Sequence, residues 1–249
     1  MTKSRIHAAA RKSTGWLVIL AVIFGLLWPG AAAAESTRNT YANPISSDFA
    51  DAFPDPSIIR AKDGYWYSYA TTTVMRKDNP DSGHRANYFM PISRSKDLIH
   101  WEYVGDVFSY DNHPEWTKFD GGTYFWAPDV RYINGEYYLY YSVVNYSFVG
   151  FDRYQIGLAT APTPAGPWTD IGRPLVESST GTLTIDPAHF IDSDGTRYLY
   201  YGSFNDNGIL VVQLSEDGKE TVGEPKQVVK GHTGEAPYVV KRGNYYYLF

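Results

Sequence analysis

Three carboxylates in this chain stand beside prolines: Asp55 in FPDPSIIR, Asp186 in IDPAHF and Glu235 in GEAPYVV. Each opens an apolar, strand-like run. Asp55 and Asp186 fall one residue before their proline, and Glu235 falls two before Pro237. Proline fixes φ and removes a backbone donor, so the Pro-Asp-Pro entry around Asp55 is a stiff one. Carboxylates gathered at one place cannot all ionise freely, because repulsion raises some of their pKa values. That suits general acid–base chemistry, where one group stays protonated and another ionised. Hydrolysis of a glycosidic bond has this demand: an acid for the leaving oxygen, and a carboxylate for water or the anomeric carbon. Any one of the three alone reads as a turn or strand-entry residue satisfying local amides. Three in register argue for a shared site.

Asp55 and Asp186 are 131 residues apart, and Glu235 lies 49 further on. A repeat explains how they meet. FPDPSIIRAKDGYWYSYATT, WAPDVRYINGEYYLYYSVV, IDPAHFIDSDGTRYLYYGSF and EAPYVVKRGNYYYLF share one pattern. Each has an acidic residue beside proline, an apolar run, a glycine turn and an aromatic run. Aligned on Pro56, Pro128, Pro187 and Pro237, the turn glycines are Gly64, Gly135, Gly195 and Gly243. Asp-Gly, Asn-Gly and Arg-Gly between such runs predict β-hairpins. A further strand pair follows in FMPISRSKDLIHWEYVG, QIGLATAPTPAGPWTDIG and GILVVQLSEDGKETVGEPKQVV. Four strands per repeated unit predict propeller blades, whose first strands line a central axis. A β-sandwich is the rival architecture, but it has no reason to restart each unit with an acid beside proline. The fourth unit stops at Phe249 within its second strand, so the reading is a propeller truncated after roughly three and a half blades.

Composition sets outer limits. The chain has 249 residues, 22 of them tyrosine, and no cysteine. Disulfides, thiolate metal sites and a cysteine nucleophile are thereby excluded. Residues 1–34 read as a secretory leader. Lys3, Arg5, Arg11 and Lys12 form its basic start, Trp16 to Trp28 its apolar stretch, and Ala32-x-Ala34 its cleavage site. A retained membrane anchor is the alternative, but the apolar stretch is short for a span of ~20 residues. The leader holds four of the 22 Lys and Arg and none of the 27 Asp and Glu, which leaves net −9 over residues 35–249. A chain so acidic is a poor nucleic-acid binder and is compatible with a neutral substrate. No HExxH or GxSxG pattern occurs. Asp192 and Asp194 resemble the start of a calcium loop whose later ligands are missing, so a hairpin turn is expected there. Asp129, one residue after Pro128, is read as structural, pointing away from the side that the residue before the proline faces.

FPDPSIIR, FWAPDVRYINGEYYLYYS, IDPAHFIDSDGTRYLYYGSF, GEAPYVV and SKDLIHWEYVG together resemble the motifs of glycoside hydrolase family 43, over nearly all of residues 51–249. The resemblance implies an all-β, five-bladed β-propeller, here an incomplete catalytic domain over 35–249. It implies an inverting enzyme acting on plant cell-wall polysaccharide or oligosaccharide. Asp55 would be the general base, Glu235 the general acid, and Asp186 the group that raises the acid's pKa and positions it. Trp126 would stack against sugar, with Phe53 and Phe204 as further contacts. No cofactor is required. Some members carry a structural metal ion at the propeller axis beside a histidine of a late blade. GSFNDNGI, residues 202–209, is similar to a stretch of arabinan-degrading members and favours α-L-arabinofuranosyl linkages. β-Xylosidase, exo-β-1,3-galactanase and a non-catalytic carbohydrate-binding propeller are the alternatives. The polar insertion at 74–88 is expected to shape an exo-acting pocket. A secreted protein is expected, with no membrane association after cleavage.

Overall fold

A computed structural model describes residues 45–50, 52–74, 87–109, 111–118, 123–145, 153–177, 183–204, 208–231 and 234–249. The expected leader at 1–34, most of the polar insertion (75–86) and the Asn205–Asn207 stretch lie outside the described residues. The described residues are all-β. They contain two short 3-10 turns, Ile45–Asp48 and Glu115–Thr117, and no α-helix.

Three antiparallel sheets follow one another along the chain. The first comprises β1 (Ser57–Arg60), β2 (Trp66–Tyr69), β5 (Pro91–Ser95) and β6 (Trp101–Asp106) in that order. A two-stranded ribbon, β3 (Thr73–Val74) with β4 (Asn87–Tyr88), projects between β2 and β5. The second sheet holds β7 (Thr123–Ile133), β8 (Glu136–Asn145), β9 (Arg153–Ala161) and β10 (Thr169–Asp170). The third holds β11 (Ala188–Ile191), β12 (Arg197–Gly202), β13 (Ile209–Leu214) and β14 (Thr221–Val229). A last hairpin pairs β15 (Val239–Arg242) with β16 (Tyr245–Leu248). Each sheet is an up-and-down meander, as the repeat predicts.

The hairpins form where the sequence places them. Gly64, Gly135, Gly195 and Gly243 all have positive φ. At the β7–β8 turn Asn134 does too, with φ 50, so both central residues adopt the mirror-image turn that Asn-Gly favours. Asp192 and Gly195 close the β11–β12 hairpin, with Gly195 N–H donating to the Asp192 carbonyl at 2.9 Å. The expected hairpin turn stands there.

The tyrosine-rich second strands of the first three units pack into the core, while β16 of the fourth is exposed. β8 is buried on both faces, and its alternation sorts side chains between two clusters. Leu139, Tyr141 and Val143 join Tyr69, Met90, Ile92, Phe108 and Phe125 between the first and second sheets. Tyr138 and Tyr140 join Ile156, Leu158, Leu199, Val212 and Leu214 between the second and third. Buried tyrosine hydroxyls need partners. Tyr69 donates to the Pro164 carbonyl at 2.6 Å, and Tyr140 to that of Gly218 at 3.1 Å. The sheets are thus cross-tied as well as packed, which fixes how their first strands face one another.

Candidate active site

The first strands surround a cavity of about 370 Å3. All four entries contribute to it: Asp55 and Pro56, Ala127 and Pro128, Asp186 and Pro187, Ala236 and Pro237. The residue before each proline adopts a left-handed backbone, with φ of 52 at Asp55, 42 at Ala127, 57 at Asp186 and 56 at Ala236. Proline normally pushes its predecessor to extended geometry, and non-glycine residues cost about 1–3 kcal/mol in such regions. Aspartate tolerates the conformation better than most, but alanine gains nothing from it. The strain is held from outside. Ala127 N–H donates to Thr71 Oγ1 at 2.8 Å, Asp186 N–H to Ser142 Oγ at 2.9 Å, and Ala236 N–H to Asp186 Oδ2 at 3.1 Å. In each case the partner belongs to the preceding repeat unit.

The sequence-predicted carboxylates come together. Asp55 and Asp186 line the cavity, and Glu235 adjoins its Ala236 wall. Asp186 carries the largest consequence. Burial first, then the charges of Glu235 and Asp55, push its pKa up to about 7. Thr71 Oγ1 donates to Asp55 Oδ2 at 2.6 Å, and Ser203 Oγ donates to Glu235 Oε2 at 2.9 Å. Neither hydroxyl was legible as a site residue, because both sit in polar–aromatic strand ends far in sequence from their partners.

Asp129 corrects an expectation. It lines the cavity together with Ser57, Ala188 and Tyr238, the other residues that follow a proline. The left-handed residue before each proline breaks strand alternation, so the residue before the proline, the proline and the residue after it all reach the cavity. Asp129 is buried and ion-paired with Arg131, Nη2 to Oδ1 at 2.8 Å, and accepts His189 N–H at 2.6 Å. Burial nonetheless outweighs the guanidinium and pushes its pKa up to about 6. The His189 ring stacks on Tyr140 with centroids 5.4 Å apart, and burial lowers its pKa to about 3. It is therefore neutral beside Arg131.

The three aromatic candidates stand outside the cavity's lining. Trp126 is half-buried in β7 opposite Ser142, beside a bulge that separates it from Asp129. Phe53 packs edge-on against Phe49, ring centroids 5.3 Å apart. Phe204, directly after Ser203, is 47% exposed. Among the described residues no group of three or more His, Asp or Glu stands together as metal ligands.

Comparison with known proteins adds relatives of stated kind. The chain is 33% identical over 217 residues to a probable arabinan endo-1,5-α-L-arabinosidase A of Emericella nidulans, covering 84% of this chain and 61% of that protein. It is 29% identical over 212 residues to a putative β-xylosidase of Xylanibacter ruminicola, covering 84% of this chain and 34% of that one. The chain thus spans about a third of one relative and less than two thirds of the other. An endo-arabinanase structure from Bacillus licheniformis superposes with a TM-score of 0.65 at 30% identity, covering 80% of this chain and 66% of that one. Residues 41–249 match the glycosyl hydrolases of family 43, and the chain belongs to that family.

Proposed function

We propose that this protein is a secreted glycoside hydrolase that cleaves α-L-arabinofuranosyl linkages in arabinan or arabinoxylan with inversion at the anomeric carbon. The observation that carries the reading is that Asp55 and Asp186 line one cavity, with Glu235 close enough for its charge to act on Asp186, the three coming from separate repeat units. In the proposed reaction Asp55 takes a proton from water, which attacks the anomeric carbon. Glu235 protonates the leaving oxygen in the same step. Single displacement needs base and acid ~6.5–9.5 Å apart, with room for the water. Asp186 accepts Ala236 N–H and so positions the turn that carries Glu235.

The three four-stranded sheets and the last hairpin belong to blades of a five-bladed propeller, with the cavity on its axis. The leader at 1–34 directs export. The arabinose preference is supported by similarity to arabinan-cleaving relatives in sequence and in structure. Similarity to a putative β-xylosidase favours xylosyl cleavage as the second reading. The substrate is a neutral plant polysaccharide or an oligosaccharide derived from it, and no cofactor takes part.

Assaying the full-length gene product on a panel of aryl glycosides, arabinan, arabinoxylan and xylan tests this. Arabinose or arabino-oligosaccharides are expected, with the inverted anomer formed first by NMR. Release of xylose alone would replace the arabinose reading with the second one. Sugar binding without hydrolysis of any substrate would make the protein a binding module instead.

A further inference from the structure

Two hydroxyls touch the proposed base and acid. Thr71, just past β2, is 8% exposed, and Ser203, just past β12, is 1% exposed. We propose that Thr71 and Ser203 are positioning residues, each holding one carboxylate, Asp55 and Glu235 respectively, in the orientation its proton transfer requires. The proposal rests on the base and acid assignments given above.

Hydrogen-bond accounting fixes the direction at Thr71. A threonine hydroxyl has one proton to give and lone pairs to accept with. Ala127 N–H donates to Oγ1, and an ionised carboxylate only accepts, so the hydroxyl proton points at Asp55 Oδ2. The side chain is β-branched and therefore stiff at χ1. Its backbone is tied as well: Thr71 N–H donates to the Pro54 carbonyl at 3.1 Å, and Thr72 N–H to that of Phe125 at 2.8 Å. One short segment thus fastens the entries of both β1 and β7. With Oδ2 held, Oδ1 is the oxygen left to address a water.

Ser203 is held by its neighbour. Gly202 has φ of 123 and lies so close to the Gly208 carbonyl that a Cβ there would stand 2.1 Å from the oxygen. Only glycine fits, and this close approach sets where the next residue points. Ser203 Oγ then holds Glu235 Oε2, leaving Oε1 for the leaving group. In the second sheet Ser142, inside β8, accepts Asp186 N–H and so fixes backbone rather than carboxylate. Each of the three four-stranded sheets therefore supplies, within its second strand or just past it, a hydroxyl that fastens a proline-flanked entry.

Steady-state kinetics of the full-length gene product on arabinan, with thermal melts, tests the proposal. Thr71→Val keeps shape and removes the hydroxyl, and a drop in kcat of about 10–100-fold with KM nearly unchanged is expected. Thr71→Ser restores the hydroxyl and should recover most of kcat. Among the described residues no backbone N–H donates to Ser203 Oγ, and Ser203→Ala should lower kcat about tenfold, again without raising KM. It serves alone if Thr71→Val, which orphans Ala127 N–H, does not fold. Unchanged kcat in Thr71→Val or Ser203→Ala, failure of Thr71→Ser to rescue, or a loss confined to KM overturns the proposal while the hydrolase reading stands. If the unsubstituted protein hydrolyses no glycoside, the proposed function fails and this inference fails with it.

Discussion

Asp186 is the residue on which burial and repulsion fall together. Its pKa near 7 means that it holds a proton in the native chain long after the unfolded chain has released it. The stability it contributes is complete below about pH 4 and is lost as pH rises toward 7, because the native state then binds more protons than the unfolded one. Asp129, at about 6, acts in the same direction. Asp186→Asn keeps an acceptor for Ala236 N–H and removes the charge. It is expected to match the wild type in thermal melts at pH 4 and to exceed it at pH 8 by on the order of 3 kcal/mol, several degrees in Tm. A difference that is flat across pH would show that burial does not load this group. Asp55→Asn isolates chemistry from binding: turnover should fall by roughly 10²–10⁴-fold while arabino-oligosaccharide affinity persists. Surviving turnover would remove Asp55 as base. The carboxylates were legible because a repeat superposes them. Thr71 and Ser203 were not, since a hydroxyl just past a strand carries no sign of a carboxylate partner 16 or 32 residues away.

Strands carry these groups, and their packing tolerates little change. Gly157 in β9 lies opposite Tyr141 in β8. A Cβ at Gly157 would stand 2.4 Å from Tyr141 Cζ. That ring cannot retreat: it is fully buried, and its hydroxyl donates to Asp170 at 2.5 Å. Gly157→Ala is therefore expected to cost about 1–3 kcal/mol by overpacking, read as a lower denaturation midpoint at unchanged slope. Wild-type stability in this variant would mean that β8 and β9 can separate without penalty. The order and pairing of elements could be read from the sequence, because turn glycines and period-two aromatic runs mark each hairpin. The left-handed entries could not. Alanine at 127 and 236 has no preference for that region, and a following proline argues against it. The cause lies in hydrogen bonds from the preceding unit, which only the folded sheets bring into reach.

At the scale of the whole chain, the informative quantity is charge. Residues 35–249 carry net −9. A polyanionic ligand would meet repulsion over most of this surface, and binding that depended on local basic groups would weaken steeply with salt. A neutral polysaccharide feels neither effect. Its affinity comes from hydroxyl hydrogen bonds and from apolar contact with aromatic faces, which a Debye length of about 10 Å at 0.1 M does not modulate. KM on arabinan is accordingly expected to change less than about twofold between 0.05 and 0.5 M salt, with kcat similarly flat. A steep, monotonic rise of KM with salt would point to a charged substrate, such as an acidic pectic or glucuronoyl-decorated chain, recognised through cationic groups. Arg131, which lines the cavity but is ion-paired with Asp129, would be the first such group to substitute.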